Sequence, residues 1–192
     1  AALTPEAARM IAATGWQLED LRLGGNANLG GASLATLLAA PTFALRCLDL
    51  ANCRLDAAAL LTLANAPWPL EVLYLSRSNF SAAAAAPALA ALSRHAGLRR
   101  LNVSYCHLSA AGFKALVEAT WPALTSLSAD QASVALAGTD ALGAAAFAGF
   151  PALEELDLSR VWLGPAGAAL LASRQWPRLV RLNLCFARLY DA

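Results

Sequence analysis

Charge is scarce in this sequence, and lysine is almost absent from it. Asp, Glu, Lys and Arg make up only 14% of the 192 residues, and 14 basic residues nearly balance 13 acidic ones, for a formal net charge of +1. Proteins that bind nucleic acid usually carry a clear basic excess, so we expect no nucleic-acid partner. Hydrophobic residues make up 58% of the chain, which excludes a disordered protein.

The chain also has few cysteines and no sign of export or membrane insertion. Its four cysteines, at positions 47, 53, 106 and 185, lack the paired spacing of a metal site and are too few to cross-link a chain of this length. The longest uncharged stretch, residues 23–45, contains Pro41 and several glycines, which disfavour a membrane helix. No signal peptide opens the chain. We therefore expect an intracellular, cytoplasmic protein with reduced thiols, no cofactor, no metal and no membrane partner.

Leucine and alanine are abundant instead, with 38 and 48 residues, and the leucines recur in a fixed pattern. Apolar residues, mostly leucine, occupy relative positions 1, 4, 6 and 11 of a segment such as "LRCLDLANCRL". A repeat of 25 to 29 residues is typical of solenoid proteins. Seven copies, here called repeats one to seven, begin at residues 18, 45, 70, 98, 124, 153 and 179.

Each repeat changes its hydrophobic period partway along. Positions 4 and 6 alternate with polar neighbours, as in a short strand with one buried face. After position 11 the apolar residues recur three places apart, as on one face of a helix. No single repeat can bury its apolar face, so neighbours must stack. We predict an α/β solenoid, curved like a horseshoe, with about seven repeats, a parallel sheet on its concave face and helices on its convex face.

The pattern resembles the leucine-rich repeat family, whose consensus LxxLxLxx(N/C)xL is met at every defining position by "LRCLDLANCRL" and "LRRLNVSYCHL". The resemblance covers the whole chain. The repeat length and the shared glycines Gly112 and Gly167 are similar to the long, ribonuclease-inhibitor-like class. "LGPAGAALLA" also resembles the bacterial GALA subclass, and the Cys53 and Cys106 repeats resemble the cysteine-containing repeats of F-box proteins, so the subclass stays open.

Several residues predict where the helices begin. Ser109 and Asp56 stand where an N-cap side chain would accept backbone N–H groups, and Thr139 or Asp140 could do so in repeat five. Pro87 suits the first position of a helix.

Aromatic residues recur two or three places before the strand of nearly every repeat. We predict that they close the core where each helix turns back toward the next strand, rather than forming a stacking ladder for bases or sugars. They are Trp16, Phe43, Trp68, Trp121, Phe150 and Trp176, with His95 in the same place in repeat four.

Position 9, usually Asn or Cys in this family, loses its polar side chain toward the C-terminus. It is Ala132, Val161 and Ala187 in the last three repeats. The turn amides there must then bond to water or to main-chain oxygens, and we expect repeats five to seven to be less regular.

The chain begins and ends inside a repeat. It opens at position 11 of a repeat and closes at the same position, and neither end offers a polar cap. We expect residues 1–192 to form a single leucine-rich-repeat domain that is a fragment of a longer solenoid.

Charge is concentrated on the predicted concave face. Positions 2, 3, 5, 7 and 8 of the seven repeats hold 15 of the 27 charged residues in 35 places, whereas the helical side is rich in alanine. We predict partner contacts on the concave face, and one at the loop edge by Trp162. The concave residues are Arg46, Asp49, Tyr74, Arg77, Arg99, Arg100, Asn102, Tyr105, Asp130, Glu154, Asp157, Arg160, Arg181 and Phe186.

No pattern of catalytic residues accompanies the repeats. The two histidines have no orienting carboxylate at a suitable spacing, and no phosphate-binding or dinucleotide-binding motif occurs. We expect a non-catalytic scaffold that binds protein, not small molecules, as a subunit of a larger assembly. The resemblance also allows two alternatives, namely substrate recognition for an F-box-type ubiquitin ligase, or a GTPase-activating protein of the long-repeat class.

Overall fold

A computed structural model describes residues 4–27, 29, 31–38, 43–132 and 142–189. The strands are β1 (Asp20–Arg22), β2 (Cys47–Asp49), β3 (Val72–Tyr74), β4 (Arg100–Asn102), β5 (Ser126–Ser128), β6 (Glu155–Asp157) and β7 (Arg181–Asn183). The helices are α1 (Pro5–Ala13), α2 (Gly31–Leu38), α3 (Ala57–Ala64), α4 (Ala85–Ala91), α5 (Ala110–Glu118) and α6 (Gly164–Ala172), with a 3-10 helix at Leu92–Arg94.

The seven strands form one parallel sheet in chain order, which confirms the predicted fold. Each strand pairs with the next in the same register, so that position 4 of every repeat stands beside position 4 of its neighbours. The resulting leucine ladder consists of Leu21, Leu48, Leu73, Leu101, Leu127, Leu156 and Leu182.

The core lies between this sheet and the helices. Leu60 and Leu63 of α3 and Phe113 and Leu116 of α5 are fully buried, as their three-residue spacing predicts. Neighbouring helices from α1 to α5 pack against one another in chain order. Because helices need about 10 Å each and strands only about 4.8 Å, the sheet lies on the inside of the curve. None of the helices in the described ranges has the length and apolar character to cross a bilayer.

Two of the predicted helix caps are confirmed. Asp56 Oδ1 accepts a hydrogen bond from the amide of Ala59 at 2.8 Å, and Ser109 Oγ accepts one from Gly112 at 3.1 Å. Pro87 is the third residue of α4 rather than the first. This position is still compatible with proline because the N–H groups of the first turn have no partner inside the helix. Thr139 and Asp140 lie outside the described residues, as does Val134, the last pattern position of repeat five.

The aromatic residues that precede the strands have a packing role, as predicted. Trp68, Trp121, Phe43 and Phe150 are buried, and His95 places Nε2 3.0 Å from the carbonyl of Leu63. Buried rings cannot stack on bases or sugars. The prediction is wrong for Trp16, which is 54% exposed because no described repeat precedes it to cover its ring.

Position 9 faces the interior of the turns. The thiols of Cys53 and Cys106 donate to the carbonyls of Leu23 and Leu75, each one repeat earlier, at 3.2 and 3.1 Å.

In the last three repeats the amides at position 9 bond to main-chain oxygens, as predicted. The bond from Ala132 to Ala129, at 3.1 Å, is one example. The expected loss of regularity is wrong for the described strands and turns, since the sheet keeps its register through β7. Strand pairing depends on the main chain, so the turns tolerate the missing polar side chain.

Candidate functional site

The predicted contact residues all lie on the surface. The fourteen concave residues and Trp162 are exposed or half-buried, while the leucine ladder between them is buried as far as β6. They divide into two edges and a centre, because position 2 lies just before each strand, positions 3 and 5 lie on the strand, and positions 7 and 8 follow it. The structure brings some of these residues together and separates others.

A ladder of opposite charges runs along the edge where the strands begin. Position 2 is occupied by Glu19, Arg46, Glu71 and Arg99 in repeats one to four. Arg46 is bonded to Glu71 and lies 3.8 Å from Glu19, and Arg99 Nε lies 3.8 Å from the same Glu71 carboxylate. Arg46 and Arg99 therefore have their charges balanced within the protein. Such exposed pairs contribute little to stability, about 0.2–1 kcal/mol each.

The acidic and amide side chains at position 5 support the turns. Asp49, Asn102 and Asp157 each accept a hydrogen bond at 2.9 Å from the amide two residues later. This local bond mimics a backbone turn where the strand ends. These three residues thus have a structural role in addition to any contact they make with a partner.

A polar cluster at the opposite edge connects repeats four, five and six. Arg160 donates from Nε to Asp130 Oδ1 at 2.8 Å and from Nη2 to the Tyr105 hydroxyl at 2.9 Å. Ser159 Oγ donates to Asp130 Oδ1 at 2.9 Å and contacts Asp157 Oδ1 at 2.6 Å. The hydrogen bonds from Arg160 hold the pKa of the Asp130 carboxyl below its usual range, and Asp130 in turn raises the pKa of Arg160.

The carboxylates around Asp130 are thus partly neutralised. Asp157 and Asp130 share the Ser159 hydroxyl, and Glu155 is bonded to Arg181 of the next repeat. Glu154 has no ion-pair partner among the described residues. Glu154 and Asp157 therefore keep their negative charge, while Asp130 and Glu155 are paired with arginines.

The centre of the sheet holds an unpaired cation. Arg100, on β4, makes no ion pair with any described residue. It borders a shallow depression of about 210 Å³ together with Tyr74, Asn102, Ser126 and Glu155. Partner contacts are predicted for both Arg99 and Arg100, but of these two only Arg100 is available to an incoming negative group.

The loop edge of the last two repeats is aromatic and basic. Trp162 is 38% exposed, and the guanidinium of Arg188 lies 3.6 Å from the centre of its ring. Phe186 is 81% exposed beside them. Arg188 is not among the predicted contact residues, although it occupies position 10 of its repeat just as Trp162 does, and that shared position could have identified it.

Groups with nucleophilic or metal-binding chemistry are dispersed. Burial raises the pKa of the Cys106 thiol to about 12 and also raises the pKa of Cys53, because it disfavours the thiolate. Within the described ranges, no three His, Cys, Asp or Glu side chains gather as metal ligands would.

Comparison with protein families matches residues 98–117 to a model described as the leucine-rich repeat. No curated protein matches the chain. The matched residues include the strand and most of the helix of repeat four, and the strands of all seven repeats share its register. Repeats of this kind typically form non-catalytic surfaces for protein interaction. The seven units stacked in one sheet thus share the architecture of the leucine-rich repeat that residues 98–117 match.

Proposed function

We propose that this protein is a non-catalytic scaffold of the long-repeat class, which binds another protein through its concave face as a subunit of a larger assembly. The repeat length of 25 to 29 residues supports the class. The concave face supports the mode of binding, since one continuous sheet presents polar side chains from seven repeats side by side.

The proposal rests on the unpaired charge of Arg100 on β4. Most concave arginines are neutralised by a neighbouring carboxylate, but Arg100 is not, and it lies beside a depression and the half-buried ring of Tyr74. Arginine and tyrosine are enriched among the residues that dominate protein interfaces. A partner that supplies a carboxylate here would pair with this charge.

Site-specific crosslinking tests the proposal. A photoreactive amino acid replaces Tyr74 on the concave face or, as a control, the exposed Leu61 on α3. In cells that express the full chain, we expect one discrete crosslinked partner from position 74 and none from position 61.

Charge reversal at Arg100 provides a second test in the same crosslinking experiment. Arg100→Glu should reduce the yield of that product at least fivefold, whereas Arg178→Glu, the same change at an exposed residue outside the outward strand positions, should leave it unchanged. Crosslinks from position 61 alone would refute binding through the sheet.

A further inference from the structure

One backbone conformation recurs at position 8 of every repeat, at the edge where the strands end. The residue there has a positive φ, and in repeats one to six its amide donates to the carbonyl at position 7 of the next repeat, as from Arg77 to Ser104 at 3.0 Å. The φ angles are 83° at Gly25, 56° at Asn52, 61° at Arg77, 58° at Tyr105, 47° at Gln131, 57° at Arg160 and 58° at Phe186.

This conformation favours glycine and asparagine, which occupy it in repeats one and two. Repeats three, four, six and seven instead carry Arg77, Tyr105, Arg160 and Phe186, and left-handed φ is an outlier for bulky residues. None of the four is buried, so core packing does not account for them. Side chains kept in an unfavourable conformation without a packing role indicate a function in binding.

The four side chains and their neighbours form one basic and aromatic surface. The guanidinium carbons of Arg77 and Arg160 lie 5.3 and 5.6 Å from the centre of the Tyr105 ring. We define the arginine–aromatic ridge as Arg77, Tyr105, Arg160, Trp162, Phe186 and Arg188.

The charge of this ridge is only partly compensated. Asp130 neutralises Arg160, but Arg77 and Arg188 contact aromatic rings and pair with no carboxylate in the described ranges. Phe186 and Trp162 add exposed apolar area next to Arg160 and Arg188. Two uncompensated cations beside exposed aromatic rings match a ligand that carries both carboxylates and an apolar side chain.

We propose that the ridge anchors the protein partner, and that the partner contributes an acidic peptide segment with at least one large apolar side chain. The inference rests on the proposed protein-binding function and specifies the chemistry of its partner. Carboxylates of the segment pair with Arg77 and Arg188, and its apolar side chain packs against Phe186 and Trp162. The charges of Arg77 and Arg188 are uncompensated while most cations of the sheet are paired with carboxylates. The ridge therefore provides much of the electrostatic attraction for the partner.

Selection of random peptides tests this proposal without a known partner. Twelve-residue peptides displayed on phage are selected against the full chain. We expect the selected sequences to be richer in Asp and Glu than the starting library and to contain a large apolar residue. Selection of basic peptides, or tighter binding of a twelve-nucleotide oligouridine than of the best peptide, would overturn the proposal.

Variants at the ridge separate binding from folding. A double variant, Arg77→Asn with Phe186→Asn, should weaken the binding of the best synthetic peptide at least tenfold. Its melting temperature should not fall, because asparagine suits the left-handed conformation and already occupies it at Asn52. A lower melting temperature with unchanged affinity would show that the two side chains are structural and would overturn the proposal.

A matched control on the sheet distinguishes this inference from the wider proposal. Arg100→Asn should weaken peptide binding less than the double variant does, and Arg178→Asn, at an exposed arginine outside the outward strand positions, should leave the affinity unchanged. Loss of binding only in Arg100→Asn would overturn the ridge as anchor and leave binding through the sheet intact. Unchanged affinity in both variants would reject both proposals.

Discussion

Individual residues of one type have different chemistry according to their place in the repeat. Cys53 and Cys106 occupy position 9, where their thiols donate to carbonyls of the previous repeat inside the turn. Cys185 occupies position 7 and is exposed. Burial raises the pKa of the two position-9 thiols, and the thiolate is the reactive form.

Alkylation should therefore discriminate among the cysteines. Iodoacetamide at pH 8 should modify Cys185 of the native protein first and leave Cys53 and Cys106 intact, whereas all four cysteines should react in guanidinium chloride. Mass spectrometry of the intact protein and its peptides measures this. Modification of native Cys106 as fast as Cys185 would contradict the buried position of its thiol.

The Asp130 carboxylate should make a pH-dependent contribution to stability. Arg160 lowers the pKa of Asp130 in the folded state, so the contribution is present above the unfolded pKa of about 4 and is lost as pH falls through the folded pKa. Asp130→Asn should thus lower the free energy of unfolding at pH 7 more than at pH 3, as measured by urea denaturation. In an Arg160→Gln background the difference between the two pH values should shrink, and an unchanged difference would argue against this cause.

At the scale of the element, helices begin in two distinct ways. α3 and α5 follow an extended residue, Asp56 or Ser109, whose side chain accepts a backbone N–H. α4 follows Ala84, which is already helical in its φ and ψ and provides no such bond. A side-chain cap therefore stabilises only those helices whose preceding residue is extended.

Removal of a cap should be measurable. Ser109→Ala should lower the free energy of unfolding by about 1 kcal/mol, because the amide of Gly112 then depends on water alone. Urea denaturation followed by circular dichroism measures the change. Ala84→Ser is the matched control and should give no gain, since its helical conformation directs the hydroxyl away from the cap position; a comparable gain there would refute the distinction.

At the scale of the whole molecule, each repeat is stabilised by the repeats beside it. Leu101, in the middle of the ladder, is 1% exposed between Leu73 and Leu127. Leu182, at the same position of the last described strand, is 48% exposed because one of its sides has no described neighbour. The stabilisation that a leucine contributes thus depends on its place in the stack and not on its place in the repeat.

Two identical substitutions test this dependence. Leu101→Ala should lower the free energy of unfolding by about 2–5 kcal/mol, as expected for a buried leucine. Leu182→Ala should cost less than about 1 kcal/mol, because the side chain already contacts solvent. Urea denaturation of both variants provides the comparison, and equal losses would contradict nearest-neighbour stacking.

Much of the fold follows from the sequence because the repeat is local. The leucine period determined the number of strands, their register and the side of the chain on which the helices lie. The caps at Asp56 and Ser109 follow equally from residue type and spacing. The position of each outward residue, such as Arg100 on β4, was predictable for the same reason.

The sequence by itself determined the architecture, whereas only the tertiary structure decided which concave charges remain unpaired. Arg160 bonds to Tyr105, 55 residues away, across an intervening repeat, and Arg99 pairs with Glu71 while its neighbour Arg100 does not. Such pairings depend on side-chain conformation and on the separation between stacked strands, which repeat spacing does not specify. The positive φ at position 8 recurs in all seven repeats and accompanies hydrogen bonds between repeats in the first six, and the residue types there, glycine and phenylalanine among them, did not reveal it.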